Sequence, residues 1–119
     1  MDQQPVVGIE PRDEMIVAAI HRARLDYDET SQMKAAVAAA GNERRPQPVV
    51  LDMSELEFIA SETLGALVEL HRDFRPYQQP FVLAGVHPRI REVLAVTQLD
   101  KVFELSDSVD AALARLRGD

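Results

Sequence analysis

The segment at residues 48–65, PVVLDMSELEFIASETLG, constrains the fold of this chain more than any other. It opens with a short apolar run at residues 49–51, which is typical of a strand buried on both faces of a sheet. A polar loop follows, and then Leu64 and Leu67 begin an apolar stripe at helical spacing. The segment therefore predicts a central strand, an exposed loop and a helix that begins at Ser61.

Ser61 lies at the predicted start of this helix, where the first backbone N–H groups have no partner within the helix. A serine hydroxyl there can accept a hydrogen bond from one of them as an N-cap, and serine is among the preferred residues at that position. The same N–H groups and the positive end of the helix dipole would also stabilise a phosphate placed on the serine. Taken by itself, the pattern favours the simple N-cap.

Gly65 lies inside the same predicted helix, where glycine costs roughly 1 kcal/mol relative to alanine. Its presence suggests that another backbone or a partner packs closely against the helix at this point. We therefore expect a close-packed patch on this helix at Leu64 and Gly65.

Apolar runs and helical stripes alternate along the rest of the chain. Further strands are predicted at residues 6–9, with a turn at 10–14, at 15–20, at 81–84 and within 99–105. Further helices are predicted around Met33 to Ala40, where Gly41 and Asn42 stop the helix, after His87 and Pro88, and after residues 106–108. This order predicts an α/β fold, in which residues 1–119 form a single domain. We expect a mixed, mostly parallel β-sheet of about four to five strands with about four α-helices.

Composition narrows the classes of function. The chain has no cysteine, which excludes disulfides, thiol catalysis and cysteine-based metal sites. Its net charge of -7 makes nucleic acid and anionic membrane surfaces unfavourable partners. No basic leader precedes an apolar run, and no apolar stretch approaches the roughly 18 residues of a membrane span. We therefore expect a cytoplasmic protein without direct membrane insertion.

Carboxylates and imidazoles show no spacing that points to a metal or a cofactor. Asp26, Asp28 and Glu29 precede the first predicted helix, where acidic side chains complement the helix dipole. The three histidines have no ligand spacing between them. No Gly-rich phosphate loop is present either. We therefore expect no metal and no cofactor.

Two functions from other classes remain open on the residues alone. A phosphorelay receiver domain has a similar length and alternation, and Asp52 at the strand end would be its phosphoacceptor. Against it, the chain lacks an acidic pair after its first strand and a lysine after a later strand. A serine hydrolase would use Ser61, but the Gly-x-Ser-x-Gly turn is absent and no histidine is placed near that serine.

A family resemblance rests on four short segments of the chain in order. They are Leu25-Asp26, residues 50–54, residues 58–61 running into Leu64-Gly65, and residues 83–88. Together they resemble a STAS domain of the anti-sigma factor antagonist type, and the similarity covers nearly the whole chain. Its most informative part is residues 58–65, where the family typically has Phe, any apolar residue, Asp, Ser, Ser, Gly, Leu and Gly.

The resemblance implies a STAS-like fold and a regulatory protein-binding domain that is not an enzyme, with no catalytic residues. In the family, the serine after the motif aspartate is phosphorylated by a partner that is both an anti-sigma factor and a serine kinase. The unphosphorylated antagonist binds this partner and frees the sigma factor, and phosphorylation breaks the complex. By position, the phosphoacceptor here is Ser61, and Asp26 corresponds to the acidic residue that lies near it.

The expected partner surface surrounds Ser61. It comprises Asp26, Tyr27, Asp28, Glu62, Thr63, Leu64 and Gly65. The chain departs from the family pattern at Ala60, which replaces the aspartate, and at Glu62 and Thr63, which replace Ser-Gly. Two alternatives therefore stay open, a kinase that uses Thr63 and a non-phosphorylated STAS adaptor subunit of a membrane transport or signalling complex. The oligomeric state is not predicted.

Overall fold

The computed structural model describes residues 4–118, which fold into a five-stranded sheet with four α-helices. The strands are β1 (Val7–Arg12), β2 (Met15–Ile20), β3 (Val49–Asp52), β4 (Phe81–Ala84) and β5 (Glu104–Ser106). The helices are α1 (Tyr27–Glu43), α2 (Ser61–Phe74), α3 (Pro88–Val96) and α4 (Val109–Arg117). Short 3-10 turns follow α2 at Arg75–Tyr77 and α3 at Leu99–Lys101.

The strands lie side by side in chain order, β1-β2-β3-β4-β5. β1 and β2 form an antiparallel hairpin, and β2 to β5 are parallel. The predicted mixed, mostly parallel α/β sheet is confirmed. Each parallel pair is joined by a helical crossover, as parallel strands require.

The hairpin turn is shorter than the sequence predicts. β1 extends to Arg12, so only Asp13 and Glu14 form the turn, with φ angles of 52° and 62°. Pro11 stays inside the strand and pairs with Ile16. A proline fits there because β1 is an edge strand, where a missing backbone N–H on the outer side breaks no hydrogen bond.

Alternating side chains of the sheet form two apolar layers. Ile16, Leu51 and Leu83 point to the face that α1, α2 and α3 cover. Val17, Val50 and Val82 point to the other face, which packs against α4. The predicted central strand β3 is accordingly buried on both sides.

Gly41 does not stop α1. The helix continues to Glu43 and ends at the C-cap Arg44. Gly41 is buried because the ring of Phe74, from α2, packs where its side chain would be. The glycine therefore marks a close approach of two helices and not a helix end.

The last strand lies at the end of its predicted range. Residues Leu99–Lys101 form a 3-10 turn, and β5 is the three-residue strand Glu104–Ser106. Ser108 alone caps α4, because its Oγ accepts a hydrogen bond from Ala111 N at 3.0 Å. Within residues 4–118, no helix is long and apolar enough to cross a membrane.

Candidate functional site

The loops after β2 and β3 meet at the carboxyl edge of the parallel strands, where ligand and partner sites are common in α/β sheets. The loop after β3 is tied to the loop after β2, since the N–H groups of Glu57 and Phe58 both donate to Ala23 O at 2.8 and 3.2 Å. It is tied to β4 by Met53 N, which donates to Ala84 O at 2.9 Å. These backbone bonds fix the approach to α2, and therefore the position of Ser61.

Ser61 is exposed and is the first residue of α2, one position past the cap. The N-cap is Ala60, whose φ of -89° and ψ of 163° are the extended dihedrals that a cap requires. The expected N-cap role of Ser61 is therefore wrong, and no side chain caps this helix. In the part of the chain that the structure describes, the Ser61 hydroxyl has no hydrogen-bond partner.

Asp26 is the N-cap of α1 and forms a capping box. Its Oδ1 accepts from Glu29 N at 2.7 Å, and Glu29 Oε1 accepts from Asp26 N at 3.0 Å. Glu29 Oε2 also accepts from Arg22 Nε at 3.2 Å, while Asp28 adds a second acid to the first turn. The dipole-complementing role predicted for these acids agrees with the structure. The influence of Asp26 on Ser61 stays a prediction.

An open groove of about 380 Å³ runs along the surface between α1 and α2, and Glu62, the residue after Ser61, is part of its lining. It is lined by Tyr27, Thr30, Ser31, Lys34, Glu62, Gly65, Ala66 and Glu69. The structure thus brings three of the predicted partner residues, Tyr27, Glu62 and Gly65, to one groove. Lys34 pairs with Glu69 across it, and this hydrogen bond raises the pKa of Lys34.

Gly65 does not pack against this chain, contrary to one of the two expectations for it. A Cβ on Gly65 would meet no described atom within 4 Å beyond its two chain neighbours and the backbone of its own helix. The close helix contact predicted at Gly65 occurs instead at Gly41. Gly65 is exposed in the groove, so only a partner could pack closely against it.

Thr63 and Leu64 turn inward from the same helix turn. Thr63 is 1% exposed, and its Oγ1 lies 2.9 Å from Thr30 Oγ1 in a buried hydrogen bond between α2 and α1. Leu64 is partly buried against the core. A kinase could reach Thr63 only after this contact had opened, whereas Ser61 needs no such change.

Phe58, Arg24 and Arg89 form a surface cluster that sequence reasoning missed. The Phe58 ring is 45% exposed, and the guanidinium carbons of Arg24 and Arg89 lie 5.4 and 5.2 Å from its centroid. Arg24 comes from the loop after β2 and Arg89 from the first turn of α3. No sequence spacing could have joined them, because the sheet topology alone brings these segments together.

The three histidines already have other contacts. His21 Nδ1 lies 3.1 Å from Glu55 Oε2, and His87 Nδ1 accepts from Arg89 N at 3.1 Å as the cap of α3. His71 packs edge-to-face on Phe103. None of these contacts joins a histidine to Ser61, so the geometry gives the hydrolase alternative no support.

The receiver alternative gains no support from Asp52. Its Oδ1 accepts from Ser54 N at 3.0 Å, which closes a turn after β3. Among residues 4–118, no group of three or more His, Asp or Glu side chains is arranged to hold a metal ion. A receiver site would need such acids beside its phosphoacceptor to hold Mg²⁺.

The uncapped start of α2 makes a direct stability prediction. Ala60→Asp is expected to raise the free energy of unfolding by roughly 1 kcal/mol, because residue 60 has cap dihedrals and a carboxylate would accept a first-turn N–H. Ala60→Asn would supply the same capping hydrogen bond without a charge, so comparing the two variants separates the contributions of the hydrogen bond and the charge to stability. Urea denaturation of the three chains measures the change. Unchanged stability in both variants would contradict a vacant cap.

Comparisons with known proteins agree with this geometry. The family model of the STAS domain matches residues 7–112. A candidate anti-sigma factor antagonist, BtrV from Bordetella bronchiseptica, is 29% identical over 107 residues, covering 88% of this chain and 89% of BtrV. The solved anti-sigma-factor antagonist (STAS) domain protein from Planctomyces limnophilus superposes with a TM-score of 0.83 at 26% identity, over 93% of this chain and 97% of that one.

The anti-sigma factor antagonist SpoIIAA of Bacillus has been solved in two states. The unphosphorylated form superposes with a TM-score of 0.81, over 95% of this chain and 97% of SpoIIAA. The phosphorylated form superposes with a TM-score of 0.73, over 92% and 98% of the two chains. Since both are 18% identical to this chain, they support the fold alone.

Proposed function

This chain belongs to the STAS domain family, and from that membership we propose that it is an anti-sigma factor antagonist switched off by phosphorylation at Ser61. The partner would be an anti-sigma factor with serine kinase activity, and the role of this chain would be binding and not catalysis. The names of BtrV and of the Planctomyces limnophilus protein support the antagonist role. The serine kinase activity of the partner and the phosphorylation of Ser61 are proposed in addition to the antagonist role.

The observation that carries the proposal is the state of Ser61. Its hydroxyl is exposed and unengaged at the first residue of a helix that no side chain caps. A phosphate there would add about -1.5 to -2 charge at the positive end of the α2 dipole, where free N–H groups favour an anion. Because the side chain lies outside the core, the added group would require no repacking.

The groove beside Ser61 supplies the partner surface in this proposal. Tyr27 is 71% exposed at its edge, and an exposed aromatic ring is typical of residues that anchor protein interfaces. Gly65 leaves open space in which a partner backbone could approach α2 closely. A phosphate on Ser61 would add bulk and charge at the edge of this surface, so it would weaken binding without a change of fold.

Phosphopeptide mass spectrometry of the chain purified from its native host tests the proposal. We expect one phosphate, located on Ser61, in at least one growth condition. Ala60 and Glu62 make this a stringent test, because a kinase that requires the family's flanking residues would not modify this serine. A chain left unmodified in all conditions, or modified elsewhere, would contradict the switch.

Copurification from the same host separates the antagonist from a transport adaptor. The Ser61→Ala chain cannot be phosphorylated at that position and is expected to retain an anti-sigma factor with a kinase domain. Recovery of a membrane transporter ATPase in its place would overturn the proposed partner.

A further inference from the structure

We infer that Arg24, Phe58 and Arg89 anchor a short acidic segment of the protein partner. This inference deepens the proposed function, because the partner it describes is the one that Ser61 would control. We call these three residues the anchor cluster. It lies at the carboxyl edge of the sheet, and one of its members, Phe58, belongs to the segment that leads directly into Ser61.

The geometry of the anchor cluster combines an exposed ring with two cations. Arg24 and Arg89 are both exposed, and their guanidinium carbons lie 5.4 and 5.2 Å from the centroid of a ring that is 45% exposed. Cation–π contact holds each guanidinium near the ring while leaving its N–H donors available. Aromatic and arginine side chains are also the residues enriched at the energetic centres of interfaces.

The two arginines lack carboxylate partners within residues 4–118. Other arginines of the chain do have them, as Arg91 does in Asp107 at 3.3 Å and Arg115 does in Glu104 at 3.3 Å. Arg44, Arg72 and Arg75 lack them as well among these residues, so what sets Arg24 and Arg89 apart is that both lie against the same exposed ring. Guanidinium groups bind carboxylates through paired hydrogen bonds, which makes an acidic segment the complementary ligand.

The backbone beneath the anchor cluster is already ordered. The Phe58 N–H donates to Ala23 O at 3.2 Å, which joins the loop of Phe58 to the loop of Arg24. Arg89 sits in the first turn of α3, where its own N–H is held by the His87 cap at 3.1 Å. Binding would therefore order few backbone groups, and a preordered surface loses less entropy on association.

The anchor cluster is close enough to Ser61 to respond to its phosphorylation. Three peptide links separate Phe58 from Ser61, so their Cα atoms are at most about 11 Å apart. Screening at physiological salt acts over about 8 Å, so at this upper separation a phosphate of charge near -2 would repel a bound carboxylate only in part. Glu57 and Glu62 are exposed neighbours in the sequence. The cationic surface is therefore small and suits one or two carboxylates.

A photo-crosslinking residue at position 58 tests the inference. p-Benzoylphenylalanine replaces Phe58 in the full chain, and the modified protein is irradiated in its native host. The matched control is Tyr77, which is 46% exposed and also lies under an arginine, with Arg45 Cζ 3.5 Å from its centroid. We expect position 58 to link to a partner peptide that contains Asp or Glu, at a yield about tenfold above position 77.

Equal yields at positions 58 and 77 would overturn the inference. So would a position 58 product that is a nucleotide, a lipid or a peptide without acidic residues. The double variant Arg24→Gln with Arg89→Gln is expected to lower the position 58 yield about tenfold, and Arg45→Gln to leave it unchanged. Unchanged thermal unfolding of each variant excludes loss of fold as the cause.

Adding Ser61→Asp separates this inference from the proposed switch. If Ser61→Asp leaves the position 58 product intact and the double arginine variant removes it, the switch fails and the anchor cluster stands. If Ser61→Asp removes the product and the double arginine variant leaves it intact, the anchor cluster is wrong and the switch stands.

Discussion

Gly41→Ala is expected to lower the free energy of unfolding by roughly 1–3 kcal/mol, as overpacking of a filled core does. A Cβ at residue 41 would fall on Cε1 and Cζ of the Phe74 ring. That ring is fully buried and packs edge-to-face on Phe81 at 5.4 Å, so it cannot move aside freely. Alanine would gain about 1 kcal/mol of helix propensity over glycine, and the clash is expected to exceed that gain.

Gly65→Ala is the matched control for this prediction. Residue 65 also lies inside a helix, but a Cβ there would meet no described atom within 4 Å outside its chain neighbours and its own helix backbone. Because no clash opposes the higher helix propensity of alanine at residue 65, Gly65→Ala is expected to stabilise the chain by roughly 0.5–1 kcal/mol. Chemical denaturation of both variants gives the comparison. The same sign of change in both would contradict the assigned difference in packing.

Local sequence patterns predicted most of the fold, because buried side chains recur at regular spacing along each strand and helix. The apolar run of β3 and the stripe of α2 are periodic, and both elements occur where the periodicity places them. The hairpin was predicted less well, since Pro11 is usually a turn residue and only its place on the sheet edge makes it compatible with a strand. Edge position depends on the topology of the whole sheet.

The packing around the two helical glycines, Gly41 and Gly65, could not be predicted from local sequence patterns. Gly41 precedes a polar loop and has the sequence features of a helix end, whereas Gly65 sits between apolar residues and suggests close packing. In the structure both glycines lie inside helices, and the close packing occurs at Gly41 and not at Gly65, because Phe74, distant from Gly41 in the sequence, covers it. A contact between distant segments leaves no local signature.

The position of Ser61 in the fold was predicted from the sequence, whereas its role as a phosphoacceptor stays a prediction. Ser61 was placed at the start of α2, but one position off as a cap, because the boundary depends on the dihedrals of Ala60. The burial of Thr63 depends on its bond to Thr30 in another helix. The inferred anchor cluster joins three separate segments in the same way, so its members could not be grouped from the sequence.

Ser61→Asp is expected to weaken binding to the captured anti-sigma factor at least about tenfold relative to Ser61→Ala. The aspartate would place a fixed negative charge in the first turn of α2, next to Glu62 and at the edge of the proposed partner surface. Ser61→Ala removes only a hydroxyl without a hydrogen-bond partner among the described residues, so it is expected to bind like the unphosphorylated chain.

Ala111→Glu is the matched charge control. Ala111 is exposed in the first turn of α4, which packs on the opposite face of the sheet from α2. The substitution adds one negative charge near a helix start, as Ser61→Asp does, but away from the proposed interface. It is expected to leave partner affinity unchanged.

Calorimetric titration of the captured anti-sigma factor with these three variants compares their affinities and so tests the proposed phosphorylation switch. We expect Ser61→Ala and Ala111→Glu to bind with the affinity of the unphosphorylated chain and Ser61→Asp alone to lose at least about tenfold in affinity. Equal affinities for Ser61→Ala and Ser61→Asp would contradict the switch.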